Sequence, residues 1–267
     1  MELDYTHLQK KIMVLLTIGD SWTQGDSPSQ QINWEAKQNL DWYHIPPNFG
    51  LDYAAHISDG ILNKFYDSEV WPKTLGRNLG LQTYNSGRLG ISNNTMVKQT
   101  ISNIKYLTEE IGYKHKDIFV IIGLSSKYRT QKIEYFKDKK KYQVSDFNQH
   151  TLDKQDFLNL SYNYFKDEFC LQIYILQNWL DKLKIKYLFF NAFEDQNDIK
   201  DSIFYDINLD NWFNNNLDAH FKITIENKFN TNWGNTDDYF VCGHPKDVSH
   251  EYWGNQLTEY IENNKIL

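Results

Sequence analysis

A short apolar run near the start of the chain stops abruptly at a Gly-Asp-Ser tripeptide. Residues 12–18 read Ile-Met-Val-Leu-Leu-Thr-Ile, and Gly19, Asp20 and Ser21 follow directly. The run has the length of a buried strand and is too short to favour a helix. Ligands of open α/β sheets bind beyond the carboxyl ends of the strands. The pattern therefore predicts that Ser21 lies at a binding edge, either as a nucleophile or as a helix N-cap.

The rest of the chain alternates between strand and helix patterns. Strand patterns cover residues 81–84, 117–123 and 185–191, and helix patterns cover residues 71–80, 95–110, 169–183 and 248–263. The continuous apolar character of residues 117–123 is typical of a central parallel strand that is buried on both faces. This alternation predicts an α/β protein with a parallel sheet and helices on both sides. We find no internal repeat or change of composition, so one domain over residues 1–267 is expected.

Two long segments interrupt this alternation, at residues 24–68 and 127–167. The first leaves the chain just after Ser21, and long loops in compact domains are usually functional or disordered. We expect it to form one wall of a pocket, with surface insertion as the alternative. Its candidate wall residues are Trp34, Trp42, Tyr43 and Tyr53. The second segment is predicted to be polar and irregular.

Composition limits the classes of partner. The chain has 28 Lys and Arg against 35 Asp and Glu, a net charge of −7, which disfavours nucleic acid and anionic membranes. Cys170 and Cys242 are too few for a disulfide framework or a metal cluster, and the histidines show no metal-ligand spacing. Residues 1–11 lack the apolar core of a signal peptide, and no run approaches the ~18 apolar residues of a membrane helix. A soluble, cytoplasmic protein without metal is expected.

Small polar residues follow three of the predicted strands. Besides Gly19-Asp20-Ser21, these are Asn-Ser-Gly-Arg-Leu-Gly at 85–90 and Gly-Leu-Ser-Ser at 123–126, while His244 comes late in the chain, before Pro245. A serine hydroxyl becomes a useful nucleophile when an adjacent base takes its proton, and histidine suits that task near neutral pH. Backbone N–H groups in small-residue loops can stabilise the resulting oxyanion. These are the parts of an acyl-transfer site.

The same blocks, in this order, resemble those of the SGNH/GDSL hydrolase superfamily. The matching blocks are residues 18–21, residues 85–90 and Gly-His-Pro at 243–245, so the resemblance spans the chain from end to end. It implies a three-layer α/β/α sandwich with a flavodoxin-like parallel sheet of about five strands. It also implies that Ser21 is the nucleophile, Gly90 the oxyanion-hole glycine and His244 the base, with Ser21 N–H as a second oxyanion donor.

A narrower resemblance points to SGNH proteins of bacteriophages. It rests on the segment from Trp71-Pro72 to Asn93-Asn94, with Gly-Ile-Ser-Asn in its loop. A phage-encoded protein would act in the host cytoplasm or in the virion. The closing His250 and Trp253 also match the tail of the superfamily pattern.

The third block departs from the superfamily pattern. It usually reads Gly-x-Asn-Asp, and its Asn side chain donates to the oxyanion, whereas Ser125 occupies that position here. A serine hydroxyl donates only one hydrogen bond and has a shorter reach. The loss of one such donor typically lowers the rate by about 10²–10³. Arg129, four residues further on, is a candidate to compensate.

The last block departs as well. The superfamily places an Asp three residues before the base, where this chain has Val241. Asp237, Asp238 or a backbone carbonyl is then expected to orient the base, or the site works as a Ser–His dyad. Asp247 and His250 form a rival pair with the Asp-x-x-His spacing. We favour His244, because Pro follows it and the closing helix should begin after it. His250 would then open that helix and face Trp253 or solvent.

The sequence thus predicts a serine hydrolase of the esterase or O-deacetylase type, acting on a small-molecule or glycan ester without a cofactor. Two alternatives stay open at this point. One is a catalytically impaired relative that serves as a glycan-binding or structural phage protein, and the other is an acyltransferase. A flavodoxin-like binding fold without acyl chemistry has less support, because no G-x-G-x-x-G phosphate-binding fingerprint follows the first strand.

Overall fold

The fold is organised around a parallel sheet. The computed structural model describes residues 13–24, 70–88, 90–136, 141–147, 162–241 and 243–267. In this part of the chain the sheet has four strands: β1 Val14–Gly19, β2 Gln82–Gly87, β3 Ile118–Leu124 and β6 Lys186–Asn191. Their order is β2-β1-β3-β6, and all neighbouring pairs are parallel. Beyond β6, single parallel bridges join Phe189 to Trp212 and Asn191 to His220. The described residues thus contain four of the expected strands, of which there were about five.

Helices cover both faces of the sheet. The described helices are α1 Ser21–Gln24, α2 Trp71–Leu79, α3 Asn93–Glu109, α4 Tyr162–Leu183, α5 Phe221–Phe229 and α6 Asp247–Asn263. Successive side chains of a strand point to opposite faces. Val14, Leu16 and Ile18 of β1 accordingly belong to a core with α3 and α4, whereas Leu15 belongs to a core with α2, α5 and α6. The predicted α/β/α class is therefore confirmed.

Aromatic packing anchors the closing helix α6 to the sheet. Trp253 stacks on Phe221 of α5 with ring centroids 4.9 Å apart and an interplanar angle of 10°. It also meets Phe190 of β6 and Phe213 edge-on, at 5.2 and 4.9 Å. Each aromatic pair of this kind stabilises by about 0.5–1.5 kcal/mol beyond the area that it buries. This packing sets the position of the hairpin that immediately precedes α6.

The helix boundaries follow local signals closely in most places. α2 carries Pro72 in its first turn and ends just before Gly80, whose φ of 65° makes it a left-handed C-cap. α3 begins after Ser92, whose hydroxyl accepts a hydrogen bond from the N–H of Thr95. α4 begins at Tyr162, before the predicted start at residue 169. The prediction missed this earlier start because the first turns of α4 lack a strong apolar pattern.

The second interrupting segment is more regular than its composition predicts. It contains an antiparallel hairpin of β4 Thr130–Phe136 and β5 Lys141–Phe147. Gln131 holds this hairpin to α3, since its side chain accepts from Lys98 Nζ at 2.5 Å and donates to Thr95 Oγ1 at 2.7 Å. The expectation of an irregular segment over 127–167 is thus wrong for these strands. The two strands pair over their whole length, from Thr130 opposite Phe147 to Phe136 opposite Lys141.

The predicted pocket wall lies outside the described residues. Residues 25–69, which include Trp34, Trp42, Tyr43 and Tyr53, belong to the part of the chain that the structure does not describe. Within the described ranges, no helix combines the length and the apolar character needed to cross a membrane.

Candidate active site

Three glycines stand side by side where the central strands end. Gly19 of β1 is in register with Gly87 of β2 and with Gly123 of β3. A Cβ atom on Gly19 would lie 2.0 Å from Thr23 Oγ1, so only glycine lets the chain turn back tightly into α1. The N–H of Thr23 donates to the carbonyl of Asp20 at 3.0 Å and closes this turn. The turn places Ser21 at the carboxyl edge of the sheet.

The structure brings Ser21 and His244 together. Ser21 opens α1 and is 3% exposed, and His244 lies on the short strand β8 His244–Pro245, which pairs with β7 Phe240–Val241. The distance from His244 Nε2 to Ser21 Oγ is 3.0 Å. That is hydrogen-bond distance, as required of a base that takes the proton of a nucleophile. The N–H groups in the first turn of a helix lack intrahelical partners, so the N–H of Ser21 suits an oxyanion.

Trp22 ties the two halves of this pair together. Its indole Nε1 donates to the carbonyl of Gly243 at 3.1 Å, and it therefore links the residue after Ser21 to the residue before His244. Gly243 has a φ of +73°, a left-handed conformation that favours glycine. The Trp22 ring also packs edge-on against Phe193, at 4.7 Å between centroids. One side chain thus links the segment that carries Ser21 to the segment that carries His244.

Asp237 organises the hairpin that carries His244. Its Oδ1 accepts from the N–H groups of Tyr239 and Phe240 at 2.7 and 2.9 Å, and its Oδ2 accepts from the hydroxyl of Thr231. Although partial desolvation opposes the shift, these hydrogen bonds hold the pKa of Asp237 below its usual value. Both carboxylate oxygens are therefore engaged within the hairpin. Asp238, the other predicted orienting acid, is exposed.

Asp20, the residue before Ser21, is fully buried. Its Oδ1 accepts from the N–H of Trp22 at 3.0 Å, and its Oδ2 accepts from Ser125 Oγ at 3.1 Å and from Arg129 Nη1 at 2.8 Å. Burial raises the pKa of Asp20, and the Arg129 guanidinium is the main influence that opposes the rise. The single proton of the Ser125 hydroxyl points to Asp20. This geometry does not favour the predicted role of Ser125 as an oxyanion donor.

Asn93 has a role that the sequence reasoning missed. Asn93 is the first residue of α3, and Ser92 is the cap of that helix. The Asn93 amide instead clamps the backbone of Ser125: it donates to the carbonyl at 3.0 Å and accepts from the N–H at 2.9 Å. The sequence signal for this was Ser92, a residue type favoured at helix N-caps that directly precedes Asn93. Gly90 lies in the preceding turn with a φ of +73°, and its oxyanion role stays a prediction.

His250 lies in the core. It is completely buried, its Nδ1 accepts from the N–H of Trp71 at 3.4 Å, and its ring centroid is 5.7 Å from that of Phe221. Burial, followed by the charge of His244, lowers the pKa of His250 to about 3. Of the two expected surroundings of His250, Trp253 or solvent, solvent is therefore wrong. Asp247, the acid of the rival pair, is the first residue of α6. The Nδ1 of His250 is directed at the N–H of Trp71 instead.

Comparison with known protein families identifies the family to which the chain belongs. The sequence model of a family of unknown function, DUF6071, matches residues 54–266. The chain is a member of DUF6071. Among curated proteins, none matches this DUF6071 member. The described residues of the DUF6071 chain contain no group of three or more His, Cys, Asp or Glu side chains that could hold a metal ion.

One solved structure to which the DUF6071 chain is similar is a G-D-S-L family protein from Desulfitobacterium hafniense DCB-2, assigned as lipolytic. The similarity covers 96% of this chain and 99% of that one, with 12% sequence identity and a TM-score of 0.38. The α/β/α assignment of the DUF6071 chain rests on its own sheet order and on the helices that cover its two faces.

Proposed function

We propose that this protein is a serine hydrolase that cleaves an ester or a related acyl group. The observation that carries the proposal is the 3.0 Å contact between Ser21 Oγ and His244 Nε2. His244 accepts the hydroxyl proton as Ser21 Oγ attacks the carbonyl carbon, and it returns that proton to the departing alcohol. Water, activated in the same way, then hydrolyses the acyl-enzyme. No metal or organic cofactor takes part in this mechanism.

Two backbone N–H groups are proposed to stabilise the oxyanion. The N–H of Ser21 belongs to the first turn of α1, where helical N–H groups have no partner within the helix. The N–H of Gly90 belongs to the turn after β2, the strand next to β1. Donors of this kind act on the charge that develops in the transition state. The substrate is proposed to be a small-molecule or glycan ester, and a bacteriophage origin stays a prediction from sequence.

A fluorophosphonate probe tests the proposal directly. Such a probe phosphonylates an activated serine, so the wild-type protein should be labelled on Ser21 and should hydrolyse p-nitrophenyl acetate. Ser21→Ala should abolish the labelling, and His244→Ala should slow it strongly, because Ser21 would lose its base. Unlabelled folded protein, or labelling that survives Ser21→Ala, would contradict the proposal.

A binding protein without turnover is the second candidate function. It is favoured by the hydrogen bond from Ser125 Oγ to Asp20, which leaves the expected third oxyanion donor engaged elsewhere. In that case p-nitrophenyl acetate hydrolysis by the wild type would be no faster than by Ser21→Ala. An acyltransferase, by contrast, would form a new ester when a small alcohol is added to the reaction.

A further inference from the structure

Arg129 is held by Asp20, the residue directly before Ser21, and has no part in the mechanism proposed above. Its Nη1 lies 2.8 Å from Asp20 Oδ2, and its guanidinium carbon lies 5.0 Å from the centre of the Phe193 ring. Phe193 in turn packs against Trp22. Asp20 and Trp22 are the two chain neighbours of Ser21, so both sides of the nucleophile help to hold this guanidinium. The Arg129 side chain is 19% exposed, whereas that of Asp20 is completely buried.

The uncharged polar side chains at the strand ends are already engaged. The Ser125 hydroxyl donates to Asp20, and the Asn93 amide is bound at both ends by the backbone of Ser125. Asn85 is engaged likewise, since its Oδ1 accepts from the N–H of Gly87 and its Nδ2 donates to a carbonyl of α1. These groups hold the loops together. All three side chains therefore have described partners within the protein.

Arg129 has donors to spare. A guanidinium carries five N–H donors in a rigid planar fork, and the described hydrogen bond from Arg129 is made by Nη1. Asp20 orients one edge of the fork and Phe193 supports its face, so the remaining donors are held in place before any substrate arrives. A donor that is held in place stabilises developing charge without reorganising, which is the property an oxyanion hole requires.

We propose that Arg129 supplies the third N–H donor to the oxyanion formed when Ser21 attacks the acyl group, with Asp20 as its positioning residue. This inference rests on the proposed function. The proton of Ser21 Oγ passes to His244, and the negative charge moves to the former carbonyl oxygen. Arg129 donates a hydrogen bond to that oxygen and keeps its own proton. When the carbonyl re-forms, the bond from the acyl carbon to the alcohol oxygen breaks, and that oxygen takes the proton from His244, so the alcohol departs neutral.

The test compares Arg129→Lys and Arg129→Ala with a matched control, Lys127→Met, on p-nitrophenyl acetate. Lys127 lies on the same loop and is also a partly buried cation, but its ion pair, at 2.9 Å, is with Asp198. Each Arg129 variant should lower kcat by about 10²–10³ with little change in KM, the usual effect of losing one oxyanion donor. Lys127→Met should keep kcat. The lysine variant retains the charge facing Asp20, so it provides a folded protein if the alanine variant unfolds.

Chemical rescue separates donation to the oxyanion from a merely structural role. Guanidinium ions at non-denaturing concentration should restore part of the kcat of Arg129→Ala, and they should leave Lys127→Met and the wild type unchanged. A rise in KM alone, an unchanged kcat, or a loss of kcat that guanidinium does not rescue would overturn the proposal.

The two proposals fail in different ways. If the wild-type protein is neither labelled by a fluorophosphonate nor active on esters, the hydrolase function falls, and the role of Arg129 falls with it. If the wild type is labelled on Ser21 and active, but Arg129→Lys keeps the wild-type kcat, only the role of Arg129 is overturned.

Discussion

Two histidines only six residues apart occupy opposite environments in this molecule. His244 is half-buried on β8, and its Nε2 lies 3.0 Å from Ser21 Oγ. His250 is completely buried in α6, where the backbone N–H of Trp71 donates a hydrogen bond to its Nδ1. Both carry the side chain that a Ser–His mechanism needs. The two regions share the residue type. The backbone around each histidine determines which groups its imidazole can reach.

The difference follows from the local backbone. Pro245 favours an extended conformation for His244, and the pairing of β8 with β7 keeps it extended. His250 instead shares a helix face with Trp253, Leu257 and Ile261, all of which pack against the sheet. A residue on that face is buried whatever its polarity. Packing in the core therefore keeps His250 away from the carboxyl edge of the sheet.

The largest expected effect separates the two histidines by activity. His244→Ala should lower kcat/KM by about 10⁴-fold or more, as much as Ser21→Ala, because members of one catalytic unit are not additive. The double variant should lose no more than either single one. His250→Asn, which can still accept from the Trp71 N–H, should keep most of the activity. Steady-state hydrolysis of p-nitrophenyl acetate measures all four. An active His244→Ala beside an inactive His250→Asn would make Asp247 and His250 the working pair.

The next effect tests the link between the two halves of the site. Trp22→Phe removes the hydrogen bond to the Gly243 carbonyl, so His244 should shift relative to Ser21 and kcat should fall by about 10- to 100-fold. Trp71→Phe is the matched control, since no described residue accepts from its indole Nε1. Both variants lose packing in the same core. If the two lose kcat equally, the Trp22 hydrogen bond has no special part in positioning the base.

A third prediction uses the buried histidine as a probe of stability. Above pH 6.5, His250 is neutral in the folded and unfolded chains and adds no pH dependence. As the pH falls below 6.5, the unfolded chain takes up the proton first, because burial lowers the folded-state pKa to about 3. Each such group lowers the free energy of unfolding by up to about 1.4 kcal/mol per pH unit. The decline between pH 7 and pH 5 should therefore be shallower in His250→Asn.

Urea unfolding at several pH values measures that decline. His220, with a pKa lowered to about 4 mainly by burial, should contribute in the same direction, and His220→Asn is a suitable second variant. Its Nδ1 caps α5 by accepting from the N–H of Ile223, which an Asn side chain can also do. An identical decline in the wild type and His250→Asn would show that His250 titrates normally in the folded protein.

The smallest effect concerns the hairpin beneath His244. Asp237→Ala removes the acceptor of three hydrogen bonds and should lower the free energy of unfolding by about 1–2 kcal/mol. Asp238→Ala should change it by less than about 0.5 kcal/mol, since Asp238 is exposed. Because the pKa of Asp237 is lowered, its contribution is present above pH 3.8 and is lost as the pH falls through the folded-state pKa. Equal effects in thermal melts would contradict this assignment.

Sequence patterns predicted most of the sheet and its helices, and the misses have physical causes. β1, β3 and β6 are continuous apolar runs, and Gly80 marks the end of α2, so local signals sufficed there. The hairpin of β4 and β5 was missed because its short alternation of apolar and polar residues, such as Tyr142-Gln143-Val144-Ser145, lies within a mainly polar segment. α5 was missed because His220, an uncommon N-cap, provides its start signal.

The sequence by itself determined that Ser21 follows a buried strand and that His244 is extended before a proline. Both follow from interactions within a few residues, namely apolar burial and the steric limits that proline imposes. Only the tertiary structure decided which groups the site side chains contact. Ser125 and Arg129 meet Asp20 from more than a hundred residues away, and His250 meets Trp71 from 179 residues away. Contacts of that range depend on how strands and helices pack, which no local pattern encodes.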